Sequence, residues 1–228
     1  LRLNKLKTVI EQIKTGGLRG FNLWRENYDK LSFNEHKEIA ANWAMIYPVQ
    51  RCANIKVFTK RFKQLKDIGI VLRDKAVAEL GSDDGWLAYN CMSNFKFKSW
   101  KGYDYSGPRV KRTLEKARKR GFLNIELHKQ FWETDIDEFD IFVSSHTIEH
   151  ISNEHCLKLF DFVCSKADIL VLEIQVSGNR NRWNNYGGSH ILSLNRGDLE
   201  GIIGDRGFKR IGLMGNPFCG LYIKNKLL

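Results

Sequence analysis

Side chains able to do chemistry are concentrated in three short stretches of this 228-residue chain. The first, Ser144-Ser145-His146-Thr147-Ile148-Glu149-His150, sets two imidazoles and a carboxylate close together. Imidazole changes charge near neutral pH and a neighbouring carboxylate can orient its ring, so the pattern suits proton transfer. His146 and His150 stand four apart and would share a helical face, which is also the spacing of a metal pair; with no further ligand at hand, no metal is expected. The second stretch, Glu79-Leu80-Gly81-Ser82-Asp83-Asp84-Gly85, closes an apolar run with an acid and a tight turn, and a helical pattern starts at Trp86. Backbone amides at such a helix start are available to a polar ligand. The third, residues 179–190, is polar and aromatic and too long for a minimal turn. Its Arg180, Trp183, Tyr186 and His190 are candidates for reading a sugar, a phosphate or a base from a lid over the ligand.

Strands and helices must position these stretches, and the hydrophobic pattern supplies them. Strands are expected at 76–80, 99–104, 123–127, 139–144, 168–174, 208–213 and 220–223, with helical patterns at 86–93, 108–120 and 153–166. Strands alternating with helical crossovers imply an α/β domain with a parallel sheet covered on both faces. The last two strands are too close for a crossover, so they should form a hairpin and make one strand antiparallel to the rest. Residues 1–70 look helical throughout: Leu3, Leu6, Ile10 and Ile13 recur at helical spacing, Gly16-Gly17 interrupts, Ser32 and Glu35 form a capping-box pattern, and Ile55, Phe58, Phe62 and Leu65 resume the period. The expected organisation is a helical cap over 1–70 and a main domain over 71–228. Residues 79–85, 102–105, 128–132 and 144–150 then fall at the carboxyl ends of the first four strands, where an open α/β sheet has its ligand crevice.

Hydrophobic residues make up 43% and charged residues 28%, a balance that excludes disorder as the default. Cys52, Cys91, Cys156, Cys164 and Cys219 are odd in number and never form Cys-x-x-Cys, so neither a disulfide framework nor a zinc knuckle is indicated. Reduced, buried thiols and an N-terminus, LRLNKLKTVI, without the apolar core of a signal peptide lead to the expectation of a cytoplasmic protein. No apolar run reaches the ~20 residues that span a bilayer. The net charge of +11 is uneven: residues 1–75 hold 16 Lys and Arg against 7 Asp and Glu, leaving 21 against 19 for the remainder. A second basic cluster, Arg109, Lys111, Arg112, Lys116, Arg118, Lys119 and Arg120, lies on one expected helix. Both are compatible with nucleic acid, an anionic surface or an anionic substrate.

Taken together, AELGSDDGWLA, WKGYDYS and EFDIFVSSHTIEHISN, with SHILSLNRGDLEGIIGDRGFKRIGL near the end, resemble the class I S-adenosylmethionine-dependent methyltransferases of small-molecule type, from about Asp74 to the C-terminus. The turn is also similar to the Gly-Ser-Asn-Asp-Gly turn of sugar C-methyltransferases, whose N-terminal cysteine zinc cluster is absent here. The resemblance implies a Rossmann-like, mostly parallel seven-stranded sheet with helices on both faces, an antiparallel C-terminal hairpin and an N-terminal helical cap. It also implies S-adenosyl-L-methionine as cofactor. Glu79 would organise the turn, and the backbone of Gly81, Ser82, Asp83 and Gly85 would meet the methionine part. Asp104 would accept from the ribose hydroxyls, and Tyr105 with Phe131 or Trp132 would flank the adenine. Ser145 and His146, nearest the strand end, would line the cofactor, while His150 and Glu149, with His146, are the catalytic candidates. Asp83 stands where the family has its middle glycine; Asp tolerates left-handed geometry, so substitution without strain is expected to tune cofactor binding rather than abolish it.

The expected acceptor is a small or carbohydrate-like molecule, held between the cap, with Trp43, Tyr47 and Arg51, and the loops after the strands. Two rival readings keep the fold. In one, the basic N-terminal third makes the acceptor RNA; in the other, the domain binds without catalysing, with Asp83 as its support. A dinucleotide-binding dehydrogenase ranks lower, because the turn does not meet the Gly-x-Gly-x-x-Gly spacing. Oligomeric state is left open by the sequence.

Overall fold

The computed structural model describes residues 55–82, 85–104, 114–115, 118–119, 121, 125–129, 136, 138–176, 192–214 and 218–228. Eleven elements carry the fold among these residues: α1 (Ile55–Asp67), β1 (Ala76–Leu80), α2 (Trp86–Phe95), β2 (Ser99–Asp104), β3 (Ile125–Lys129), β4 (Ile141–Ser145), α3 (Asn153–Lys166), β5 (Ile169–Ile174), α4 (Arg196–Asp205), β6 (Phe208–Met214) and β7 (Phe218–Lys224). They form one seven-stranded sheet in the order β3-β2-β1-β4-β5-β7-β6. Neighbours from β3 to β5 are parallel, while β7 runs antiparallel to both β5 and β6. The expected parallel sheet with a terminal hairpin is therefore the observed one. From β1 the chain builds outward to β2 and β3 on one side and then returns to place β4 on the other, so β1 and β4 flank the switch point where a crevice opens at the carboxyl edge.

Alternation along the strands divides the core between the two faces. Ala78, Leu80, Phe142, Leu170 and Leu172 face α3 and α4, packing with Leu159, Phe160, Val163, Leu199 and Ile203. Val77, Trp100, Ile141, Val143, Ile169, Val171 and Leu221 face the other way, with Phe58, Phe62 and Leu65 of α1 and Leu87, Ala88, Cys91 and Met92 of α2. The helical period that starts at Ile55 thus belongs to the sheet's own core. Helix ends follow local chemistry: Ser152 Oγ accepts from His155 N at 3.3 Å to start α3, and Asn195 and Asp198 form a reciprocal capping box on α4.

Where observed and expected strands differ, the neighbouring chain explains it. β3 runs two residues past Leu127 because it stays paired with β2 as far as Asp104 opposite Lys129. β4 starts at Ile141 rather than 139 because Asp140 is a junction: its carboxylate accepts from Ala76 N at 2.8 Å and from Lys75 Nζ at 3.1 Å, and its carbonyl accepts from Asp168 N at 2.9 Å. β7 is longer at both ends than 220–223, because β5 on one side and β6 on the other pair its whole length. Cys91, Cys156, Cys164 and Cys219 are free and buried, as expected; Cys52 lies outside the described residues. No helix among the described residues is long and apolar enough to cross a membrane.

A basic side chain from α1 sits inside this core. Arg61 falls on the apolar face of α1 beside Phe58, Phe62 and Leu65 and is buried. Its Nη1 donates to Gln64 Oε1 at 2.7 Å and its Nη2 to the Cys219 carbonyl at 3.3 Å, while Nε has no partner among the described residues. Room for the guanidinium comes from β6, which bulges between Arg210 and Gly212; a Cβ on Gly212 would overlap Arg61 Nη1.

Candidate functional site

The turn after β1 is built by its backbone. Gly81 N and Ser82 N both donate to the Tyr103 carbonyl, at 2.8 and 3.3 Å, and Gly85 N donates to the Ser82 carbonyl at 2.7 Å. Gly81 takes a φ of +79° and Gly85, which caps α2, a φ of +68°, a region open to glycine at no steric cost. Gly81 has a second reason to be glycine: a Cβ there would overlap Thr147 Oγ1, and Thr147 Cβ lies 2.7 Å from the same point. The turn after β1 and the loop after β4 are therefore in direct contact across the switch point. Ser82 is buried and its Oγ has no partner among the described residues. Asp104 ends β2 one residue past the carbonyl that ties this turn, which puts a carboxylate at the strand end beside it.

Beneath the turn, Glu79 is buried within β1 and its Oε2 accepts from Trp100 Nε1 at 2.8 Å. Glu79, Ser145, Glu173 and Cys219 occupy the same phase of β1, β4, β5 and β7, so polar atoms form a row across the α1 side of the sheet near its carboxyl edge. Ser145 Oγ donates to Glu173 Oε2 at 2.8 Å, and the Cys219 thiol faces Glu173 Oε1 at 3.9 Å. Burial, reinforced by Glu173, pushes the Cys219 thiol up to about 12, so it stays protonated.

The loop after β4 carries the charged chemistry. His146 has a φ of +50°, uncommon for a non-glycine residue, and its amide is fixed to the Glu173 carbonyl at 2.9 Å. Its Nδ1 meets Glu149 Oε1 at 3.1 Å, a hydrogen bond, and its Nε2 lies 3.7 Å from Glu173 Oε1, a charge pair without hydrogen-bond distance. Burial opposes charge on the ring, but the two carboxylates outweigh it and push His146 up to about 10. At neutral pH the ring is an imidazolium. Glu149 is fully buried on the short 3-10 turn Ile148–His150; its carbonyl accepts from Leu192 N at 3.2 Å, and its Oε2 has no partner among the described residues.

The sequence-predicted residues are thus placed as follows. Glu79, Gly81, Ser82, Gly85, Asp104, Ser145, His146, Glu149 and His150 all lie at the carboxyl edge of β1, β2 and β4. Glu149 sends its carboxylate to His146, whereas His150 donates its amide to the Thr147 carbonyl at 3.0 Å. Asp83, Tyr105, Phe131, Trp132, Arg180, Trp183, Tyr186 and His190, and the whole of 1–54, lie outside the described residues. Glu173 was not among the sequence candidates; its signal is a lone acid in the apolar run ILVLEI, as Glu79 is in AVAEL. Thr147 carries no signal at all, since its role is only contact. Among the described residues, no group of three or more His, Cys, Asp or Glu side chains is placed to hold a metal ion.

Solved structures share this architecture. One is magnesium protoporphyrin IX methyltransferase from Synechocystis with bound S-adenosylhomocysteine (16% identity, 90% of this chain and 94% of that one, TM-score 0.59). A second is an S-adenosylmethionine-dependent methyltransferase from Clostridium acetobutylicum (13% identity, 75% and 92%, TM-score 0.62). The chain has the class I methyltransferase fold. A third methyltransferase-fold neighbour, a proposed sarcosine dimethylglycine methyltransferase from Galdieria sulphuraria, matches at 14% identity over 70% of this chain with a TM-score of 0.59, and the chain spans 64% of its length. No family model and no curated protein sequence matches the chain. The methyltransferase fold gives the row of polar atoms its setting: the switch-point crevice between β1 and β4 is where that fold opens to ligands.

Proposed function

We propose that the chain is an S-adenosylmethionine-dependent methyltransferase acting on a small or carbohydrate-like acceptor. The observation that carries this reading is the close approach of Gly81 to Thr147, which joins a glycine-shaped turn to a loop of ionisable side chains at one crevice. The residues present fit the cofactor: a turn at positive φ that admits close approach, a buried Ser82 hydroxyl in need of a partner, and Asp104 at the next strand end for a ribose diol. When bound, S-adenosylmethionine supplies an electrophilic methyl group on a sulfonium. The chain's own work is to hold the acceptor in line and to manage its proton. His146, already protonated between Glu149 and Glu173, serves as a fixed cation and N–H donor, so proton acceptance falls to Glu149 and His150. Arg180, Trp183, Tyr186 and His190 are the proposed acceptor-binding residues, with the residues that precede α1, among them Trp43, Tyr47 and Arg51, as the opposite wall. The small-molecule acceptors named for two of the neighbours support the choice of acceptor class.

Calorimetry with S-adenosylhomocysteine, followed by labelled-methyl transfer to a panel of sugars and small metabolites, tests the reading. Absence of cofactor binding ends it. His150→Ala should keep affinity for S-adenosylhomocysteine within about threefold while lowering turnover at least tenfold. A second reading, RNA as acceptor, is favoured by the exposed lysines Lys56, Lys60 and Lys63 along α1. Binding that falls steeply with salt would support it, and no RNA binding at low salt would remove it.

A further inference from the structure

Glu149 presents an unusual combination. Its side chain is fully buried, its Oε1 is committed to His146 Nδ1, and its Oε2 has no hydrogen-bond donor among the described residues. A buried carboxylate oxygen without a donor costs far more than a satisfied one, and native structures keep such atoms where a catalytic role, an ion, a water or a ligand accounts for them. The surroundings are built rather than accidental. Thr147 binds the loop to the Gly81 turn, Thr147 Oγ1 donates back to the Ser145 carbonyl at 3.1 Å, and the Leu192 amide pins the Glu149 backbone. A second buried polar atom without a partner among the described residues, Ser82 Oγ, lies on the neighbouring residue of that same turn. The strained φ of His146 shows that the loop is held in this form against its local preference.

We propose that Glu149 Oε2 is the seat for an amine on the methyl acceptor, an N–H donor taken up in its positively charged form at the His146–Glu149–Glu173 group. This rests on the methyltransferase reading and names the class of acceptor within it. Any N–H or O–H donor makes a charge-assisted hydrogen bond to a carboxylate, but only an ammonium group adds the attraction of a full opposite charge, which favours an amine over a hydroxyl at a carboxylate shielded from solvent. The seat also handles the proton. One proton passes from the ammonium nitrogen to Glu149 Oε2, leaving a neutral amine whose lone pair is free, with atoms and charge conserved. His146 holds Oε1 throughout and so keeps the second oxygen aimed at the nitrogen.

The test uses ethanolamine and ethylene glycol, matched in size, titrated into the full chain saturated with S-adenosylhomocysteine. Binding is read by calorimetry and by the ring resonances of His146 in NMR. Ethanolamine should bind saturably and shift the His146 signals, ethylene glycol should bind at least tenfold more weakly, and Glu149→Gln should lose at least tenfold for ethanolamine while still melting cooperatively and binding S-adenosylhomocysteine. Equal binding of the two probes, no saturable ethanolamine binding, or retention of it in Glu149→Gln overturns the amine seat. So does loss of S-adenosylhomocysteine affinity in a folded Glu149→Gln, because the carboxylate then serves the cofactor. The comparison of the two probes on wild type stands even if the variant does not fold. Failure of wild type to bind S-adenosylhomocysteine would instead sink the underlying methyltransferase reading.

Discussion

The turn after β1 and the loop after β4 touch at Gly81 and Thr147, yet they are made in opposite ways. In the turn, backbone conformation does the work: two glycines at positive φ and two amides gathered on one carbonyl. In the loop, side-chain charge does it: an imidazolium between two buried carboxylates, with one oxygen still to be matched. A shape made by backbone tolerates almost no added atoms but is indifferent to pH. A charge group tolerates isosteric change but answers to every proton. The two halves of the crevice should therefore fail differently.

The largest effect is expected where they meet. Gly81→Ala adds a methyl group at a φ of +79° against Thr147, a cost of about 4 kcal/mol from overlap and backbone strain together. Chemical denaturation and S-adenosylhomocysteine calorimetry should both register it. Adding Thr147→Gly should recover the overlap part but not the strain; Thr147→Ala should not, because the Thr147 Cβ is itself at 2.7 Å. Full rescue by Thr147→Gly would mean that φ is not the turn's constraint.

Next, His146→Ala leaves two buried carboxylates without their cation and should cost about 3 kcal/mol near neutral pH. Its pH dependence has a definite sign. The folded-state pKa of about 10 lies above the ordinary 6.5, so the stabilisation is complete below pH 6.5 and is lost as pH rises towards 10. The melting-temperature gap between wild type and His146→Ala should accordingly be widest at pH 6 and close by pH 10, while the gap for Gly81→Ala stays level. A gap that widens with pH would contradict the ion-pair assignment.

Glu173→Gln keeps size and hydrogen-bonding capacity, so about 1–2 kcal/mol is expected, with the NMR midpoint of His146 moving down. The smallest effect should come from the turn's one departure from the methyltransferase pattern that it resembles. Asp83→Gly is expected to change S-adenosylhomocysteine affinity by less than tenfold in calorimetry, about 1 kcal/mol. A wild type without affinity and an Asp83→Gly variant with it would show that the turn's chemistry, and not only its shape, decides binding.

The difference between the two regions also explains what could be read beforehand. β1, β2 and α3 match their expected bounds because each is punctuated locally, by Gly81 after AVAEL, by Asp104 closing SWKGYD and by the Ser152 cap. The turn, being local, was legible in the same way. The ends of β3, β4 and β7 were not, since pairing partners from distant sequence set them. In the loop, His146 and Glu149 stood out as residue types, but the pairing of Glu149 with His146 and the arrival of Glu173 from β5 depend on two strands lying side by side. Arg61 was hidden for the same reason: its helical phase is that of a core residue, and its partner is 158 positions away.

That separation bears on how the protein is made. Arg61 leaves the ribosome long before Cys219, whose carbonyl it needs. Until the last hairpin exists, burying the guanidinium with only Gln64 as partner is costly, which disfavours early docking of α1 and leaves Phe58, Phe62 and Leu65 uncovered for longer. The first helix of the described fold is therefore expected to dock late, and a nascent chain cut short before β7 should leave uncovered the part of the sheet face that α1 shields beside α2.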